Sequence, residues 1–226
     1  MYRTLTDLLS NAARSGISRM VLAAAMLTGT CLAVDAAARH PAEIFVEESL
    51  QQGYGILADR SLAEELRRVK FRQFILAATD MERIGRFTLG AYADEAPAAE
   101  LKKFEAAFAE HDIVVYSAWL SRYKGQKFRV TGSTKRMPDD IAVKADFFSP
   151  DDPNGPHSEV DFQVRRRSDG RPVITDIRVE GIWLAVSERG EFTAFLENHQ
   201  GSVGALTLHL QSVARQIFSG RSPSGG

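Results

Sequence analysis

Near Phe128 the hydrophobic pattern of the chain changes its period, and that change limits the fold more than any other feature of the sequence. Before it, apolar residues recur about every 3.6 positions, the repeat of one helix face. Val46, Leu50, Tyr54 and Leu57 keep that spacing in a segment from Pro41 to Leu57. Leu62, Leu66 and Val69 keep it next, then Met81, Ile84 and Phe87. A longer amphipathic stretch sets Leu101, Phe104, Phe108, Val115 and Trp119 against Lys102, Lys103, Glu105 and Glu110. Ser61 with Glu64 has the form of a capping box. Asp80 can cap the helix after it, and Pro97 stands where a first helical turn tolerates proline.

After Phe128 and Val130 the period is 2. Ile141, Val143, Ala145 and Phe147 alternate with Ala142, Lys144 and Asp146. Val160, Phe162 and Val164 alternate with Glu159, Asp161, Gln163 and Arg165. Asp169-Gly170 is a hairpin signal, and Val173, Ile177 and Val179 continue beyond it. This spacing turns Asp176, Arg178 and Glu180 to solvent, and Gly181 marks a bulge or a close approach. Clean alternation implies one wet face and one covered face. Two helices close the chain, one beginning near Glu191 with Phe192 and Phe195, the other carrying Leu206, Leu210, Val213 and Ile217. The class is α+β, a twisted antiparallel sheet of about four to five strands packed by helices.

The N-terminus reads as an export signal. Arg3, Arg14 and Arg19 precede an apolar run from Met20 to about Val34, and Ala36, Ala37 and Ala38 follow it. A basic start, a short apolar run and a small-residue exit form a secretory signal peptide, with cleavage after Ala36 or, preferably, Ala38. The apolar run of about 15 residues is short for a span of roughly 20. The expected organisation is a leader over 1–38, one domain over 39–218 and a disordered polar tail over 219–226. Cys31 is the one cysteine and falls within the leader. Thr30 precedes it, where a lipid-acceptor cysteine usually follows Gly, Ala or Ser. The exported chain then has no disulfide, which suits a Gram-negative periplasm better than a eukaryotic secretory route.

Function is harder to read from residue types alone. A net charge of −1 gives no nucleic-acid footprint, and the densest basic run is Arg165-Arg166-Arg167. No phosphate loop, nucleophile elbow, zinc helix or dinucleotide fingerprint occurs, so no cofactor is expected. His40, His111, His157, His199 and His209 are too far apart in sequence for a local metal pair. His111, between Phe108 and Val115, reads either as a general base in a cavity or as a helix-face histidine at a boundary. Asp161 and Asp176 read either as paired carboxylates or as a solvated sheet face. The many aromatic residues either fill a core or line a pocket.

Two stretches carry a resemblance. The first is Asp80-Met81-Glu82-Arg83-Ile84-Gly85-Arg86-Phe87-Thr88-Leu89-Gly90-Ala91-Tyr92, followed by Glu100 to Tyr123 with Tyr116, Leu120 and Tyr123 in a Tyr-x-x-x-Leu-x-x-Tyr pattern. The second is Pro172-Val173-Ile174-Thr175-Asp176-Ile177-Arg178-Val179-Glu180-Gly181-Ile182-Trp183-Leu184, then Ser187 to Phe192. In order and spacing these resemble the MlaC family of periplasmic phospholipid-binding proteins, also called the toluene-tolerance family, including its hopanoid-associated branch. Pro172 stands where the family has a leading Trp, Trp183 where it has Ser, and Asp151–Pro156 lengthens a hairpin.

The resemblance implies a deep apolar pocket between sheet and helices and no enzymatic activity. It implies a periplasmic carrier that shields the acyl chains of a phospholipid or hopanoid-like lipid. Such a carrier shuttles lipid between an inner-membrane ABC transporter complex and an outer-membrane lipoprotein complex, a role in outer-membrane lipid asymmetry. Joined to the face assignments, it makes Phe87, Phe108, Trp119, Phe147, Phe162, Val164, Ile177 and Val179 the expected acyl-chain contacts. Two other readings remain: an isomerase or hydratase on a cone-shaped α+β fold, and a protein-binding accessory module with a full core.

Overall fold

The computed structural model describes residues 39–120, 127–153 and 155–219, without the side chains of Trp119 and Leu120. The expected leader with its cleavage site and Cys31, Tyr123, and the tail from 220 onward lie outside the described residues.

Helix α1 (Pro41–Ala58) begins with Pro41 in its first turn, where a missing N–H costs nothing. The His40 imidazole accepts the Ala42 N–H at 3.1 Å. The next helix, α2 (Glu64–Ala78), has Ala63 at its N-cap and no side-chain cap. The capping box is therefore absent. Asp59 captures Ser61 instead, accepting its backbone N–H at 3.0 Å and its hydroxyl at 2.5 Å, a local turn that competes with a cap. Asp80 does cap α3 (Met81–Leu89), accepting the Arg83 N–H at 3.3 Å. The short α4 (Tyr92–Glu95) leads into α5 (Ala98–Leu120), whose 23 residues make the longest helix among the described residues.

Five strands follow: β1 (Lys127–Met137), β2 (Asp140–Phe148), β3 (Ser158–Arg166), β4 (Pro172–Val179) and β5 (Ile182–Trp183). They form one antiparallel sheet in sequence order. Across β2 and β3, Ile141 faces Val164, Val143 faces Phe162 and Ala145 faces Val160, so the alternating apolar sets meet on one face. Between β3 and β4 the register slips. Gln163 pairs with Asp176 and Val164 with Ile174, leaving Thr175 as an extra residue, a bulge that bends the strand.

Gly181 is part of a turn rather than a bulge or close approach. Glu180 and Gly181 both have positive φ, 50° and 83°, and join β4 to β5 as a two-residue hairpin loop. A Cβ on Gly181 would meet nothing within 4 Å. Helix α6 (Leu184–Asn198) starts seven residues before the expected Glu191. Its first turn is capped by Asp176, which accepts the Ala185 N–H at 2.9 Å from across the hairpin. No local sequence signal marks such a start. Helix α7 (Val203–Phe218) is capped locally by Ser202, which accepts the Ala205 N–H at 3.1 Å.

The apolar residues form two clusters. One is helical, built around Phe71, Leu89, Phe104, Phe108, Leu196 and Leu206. The other joins the sheet to α1, around Val46, Val143, Val160, Phe162 and Leu184. Tyr116 packs against both. Helix α1 covers β1 and β2, whereas α2, α3 and α6 cover β4. No described helix is long and apolar enough to cross a membrane.

Candidate ligand-binding site

Where the two clusters part, a cavity opens. It offers about 110 Å³ to the centres of water-sized spheres and is partly open to solvent. Leu50, Gly53 and Tyr54 of α1 form one wall, and Phe74, Ile75 and Ala78 of α2 another. Met81 and Ile84 of α3 continue it, and Phe147, Phe162, Ile174 and Ile177 supply the sheet side. Gly53 lets α1 approach α2 closely, since a Cβ there would lie 2.9 Å from the Phe74 ring. Tyr54 stacks near Phe128 and edge-on to Phe147, with centroids 5.8 and 6.3 Å away.

Polar groups interrupt this lining at one end. Asp176, Tyr116 and Glu188 reach it from β4, α5 and α6. Asp176 is 9% exposed, not solvated as its alternation with Ile177 implies. The β4–β5 reversal folds the start of α6 over it, and its carboxylate accepts both the Ile177 and the Ala185 N–H. Burial raises its pKa against those two bonds. Glu188 is 7% exposed. Burial first, then Asp112, Glu191 and Asp176, push its carboxyl well above the usual range. Burial first, then Asp112, Glu188 and Asp176, hold the Tyr116 phenol well above its ordinary value. Behind them His111 is buried and meets Asp112 at 2.9 Å; it does not line the cavity. Asp161 is buried as well, paired with Arg178, and the register sets it opposite Arg178 rather than beside Asp176.

A second depression adjoins this end and shares Ile84, Thr175, Asp176 and Ala185 with the cavity. Arg83, Arg136 and Arg165 line it, with Phe87 and Trp183. Arg136 lies over the Trp183 ring at 5.1 Å, and Arg178 approaches the same ring at 5.6 Å. Arg165 is held by Asp140 at 2.7 Å, whereas Arg136 has no carboxylate partner among the described residues. The molecule thus sets an apolar cavity beside a basic vestibule, with a thin polar partition between them.

The expected contact residues separate into groups. Phe147, Phe162 and Ile177 line the cavity. Val164 and Val179 are buried in the sheet cluster and do not reach its surface. Phe108 lies inside the helical cluster, stacked on Phe104 at 5.8 Å and edge-on to Phe192 at 6.2 Å. Phe87 is 40% exposed and lies under Arg189 at the vestibule, because α3 buries Met81, Gly85, Thr88 and Leu89 instead. The Trp119 side chain lies outside the described residues. Sequence reasoning missed Gly53, Phe74 and Glu188. Glu188 falls before the helix start expected near Glu191, so no face is assigned to it there, whereas the helix begins at Leu184. Among the described residues no cluster of His, Cys, Asp and Glu has a metal-binding arrangement.

Comparison with known proteins gives matches of two kinds, to a family model and to solved structures. The family model described as MlaC protein matches residues 48–212. A solved structure of a phospholipid-binding protein from Ralstonia solanacearum, in complex with a phospholipid, is similar in fold with a TM-score of 0.67. It is 19% identical, and the alignment covers 78% of this chain and 98% of that one. No curated protein matches the chain by sequence.

Proposed function

The chain belongs to the MlaC family, and from that membership we propose that it is a lipid carrier whose cavity shields acyl chains. The observation that carries this reading is the apolar cavity left where sheet and helices part, closed by Phe74, Phe147, Phe162 and Ile177. Each methylene moved from water into such a lining stabilises the complex by about 0.8 kcal/mol. About ten buried methylenes then contribute roughly 8 kcal/mol before ordering costs. The phosphate of a phospholipid would turn to Arg83, Arg136 and Arg165 in the vestibule. A phospholipid in the similar Ralstonia solanacearum structure supports the same class of cargo.

Residues 1–38 would direct export to the periplasm and be removed, 39–218 would carry lipid, and 219–226 would trail from the last helix. There the carrier would exchange cargo, phospholipid or hopanoid-like, between an inner-membrane ABC transporter complex and an outer-membrane lipoprotein complex. Its partners' different affinities would set direction, since a carrier alone only equilibrates. The chain would then perform no chemistry. A second reading, small-molecule catalysis, draws on Glu188, an acid with a raised pKa on the cavity wall.

Organic extraction of the purified protein, with mass spectrometry against a mock-purified control, tests the carrier reading. About one lipid per protein is expected. A lipid-free extract that persists after incubation with vesicles, with no uptake of a fluorescent phospholipid, would overturn it. Turnover that vanishes in Glu188→Gln would establish the second reading.

A further inference from the structure

Glu188 is the cavity-lining group that shielding of acyl chains leaves unexplained. It lines a wall that is otherwise mainly apolar, and it is more than nine-tenths buried. Among the described residues it makes no hydrogen bond and no ion pair. Its surroundings oppose ionisation. Asp112 and Tyr116 face it from α5, Asp176 from β4, and Glu191 lies one turn along α6. His111 of α5, the neighbouring base, is engaged by Asp112 at 2.9 Å. Burial and these acids hold the carboxyl in its neutral form well above the usual range. A neutral carboxyl carries an O–H donor. That donor has no protein acceptor among the described residues and borders the cavity space, whereas leucine at this position would need none.

Asp176 does not share the role, because its Oδ1 is occupied by two backbone N–H groups. The position of Glu188 then indicates what it meets. Ala185, one turn earlier on α6, lines both the cavity and the vestibule. Glu188 therefore stands near the partition between apolar space and the arginines. In a glycerophospholipid the groups between acyl chains and phosphate are the ester linkages.

We propose that the Glu188 carboxyl donates a hydrogen bond to an ester carbonyl oxygen of the bound lipid, so that the site selects ester-linked over ether-linked chains. The proposal rests on the carrier reading and adds the linkage chemistry to it. Asp112, Glu191 and Asp176 oppose ionisation of the carboxyl, and Asp176 also fixes the start of α6 that presents it.

The test compares displacement of a fluorescent phospholipid by two phosphatidylglycerols, matched in chain length, one diester and one diether. Wild type is expected to bind the diester about five- to tenfold tighter, the size of one hydrogen bond. Glu188→Gln keeps an N–H donor and most of that preference. Glu188→Leu binds both lipids alike, with diether affinity at or above that of wild type. Raising the pH removes the preference from wild type, as the carboxyl ionises, and leaves it in Glu188→Gln. This second arm decides the matter if Glu188→Leu does not fold. Equal affinities in wild type, a preference that survives in Glu188→Leu, or a pH response shared by Glu188→Gln would overturn the proposal with the carrier reading intact. Binding of neither lipid would overturn both.

Discussion

Replacing Glu188 by glutamine should make the protein more stable, by an amount that grows with pH. The folded state raises the Glu188 pKa well above its ordinary value of 4.5, through burial and then through Asp112, Glu191 and Asp176. Between the unfolded and folded values the folded protein holds a proton that the unfolded chain has released. The stabilising contribution of this group is therefore complete below the unfolded value and is lost as pH rises through the folded one. Within that window the loss approaches about 1.4 kcal/mol for each pH unit. A domain with a total stability of roughly 5–15 kcal/mol registers such a change easily.

Glu188→Gln has no proton to lose at that site and keeps nearly the same shape. The two proteins should match at acid pH and separate toward neutral pH, with the variant ahead. Asp112 and Asp176 also have raised values, but they titrate in both proteins and largely cancel in the difference. Removing the Glu188 charge eases their ionisation, which adds to the gain of the variant. The assay is urea unfolding of both proteins over a series of pH values, reading the difference in unfolding free energy. A difference that stays constant with pH, or a wild type that is the more stable near neutrality, would refute the claim that Glu188 is buried among acids without a partner.

Gly53→Ala gains about 1 kcal/mol of helix propensity but drives a Cβ to within 2.9 Å of the Phe74 ring. Relieving that overlap costs about 1–3 kcal/mol and turns the ring into the cavity, so thermal melts should show modest destabilisation and extraction less lipid per protein. Phe108→Ala should cost about 3–5 kcal/mol in urea unfolding yet leave the lipid content of the folded fraction unchanged, because Phe108 fills the helical cluster. Arg136→Glu should weaken binding of phosphatidic acid several-fold, most at low salt, and spare diacylglycerol. An equal effect on the two lipids would deny the vestibule its phosphate.

The fold was legible where local patterns decide it. Alternation along Ile141–Phe147 and Val160–Val164 identifies the covered face of the sheet, and the register places those residues opposite one another. The Asp80 cap and the Asp169-Gly170 turn were legible for the same reason, since each acts over two or three residues. Two misreadings are local, the Ser61 cap that Asp59 captures and the Gly181 turn; the others are long-range. Helix α6 starts at Leu184 because Asp176 caps it from another element. Of the expected contacts, Phe147 and Phe108 have similar helix-or-strand periodicity signals, yet one borders the cavity and the other is packed solid. Periodicity reports that a side chain points inward. Whether the inward-facing groups of two elements interlock or stand apart depends on how the elements cross, and no single segment encodes that.

The same limit explains why the acids at the partition were not legible. Alternation turns Asp176 to solvent and assigns Glu188 no face, yet both have raised pKa values in the fold. Burial and pKa therefore do not separate them; hydrogen bonds do. Asp176 holds two backbone N–H groups and ties β4 to α6, so the chain itself accounts for its polarity. Truncating it should loosen the α6 start before it touches ligand binding. Glu188 has no such partner among the described residues, so its polarity is accounted for by whatever enters the cavity. A structural acid answers to the chain and a recognition acid to its ligand, and these two stand side by side on one wall.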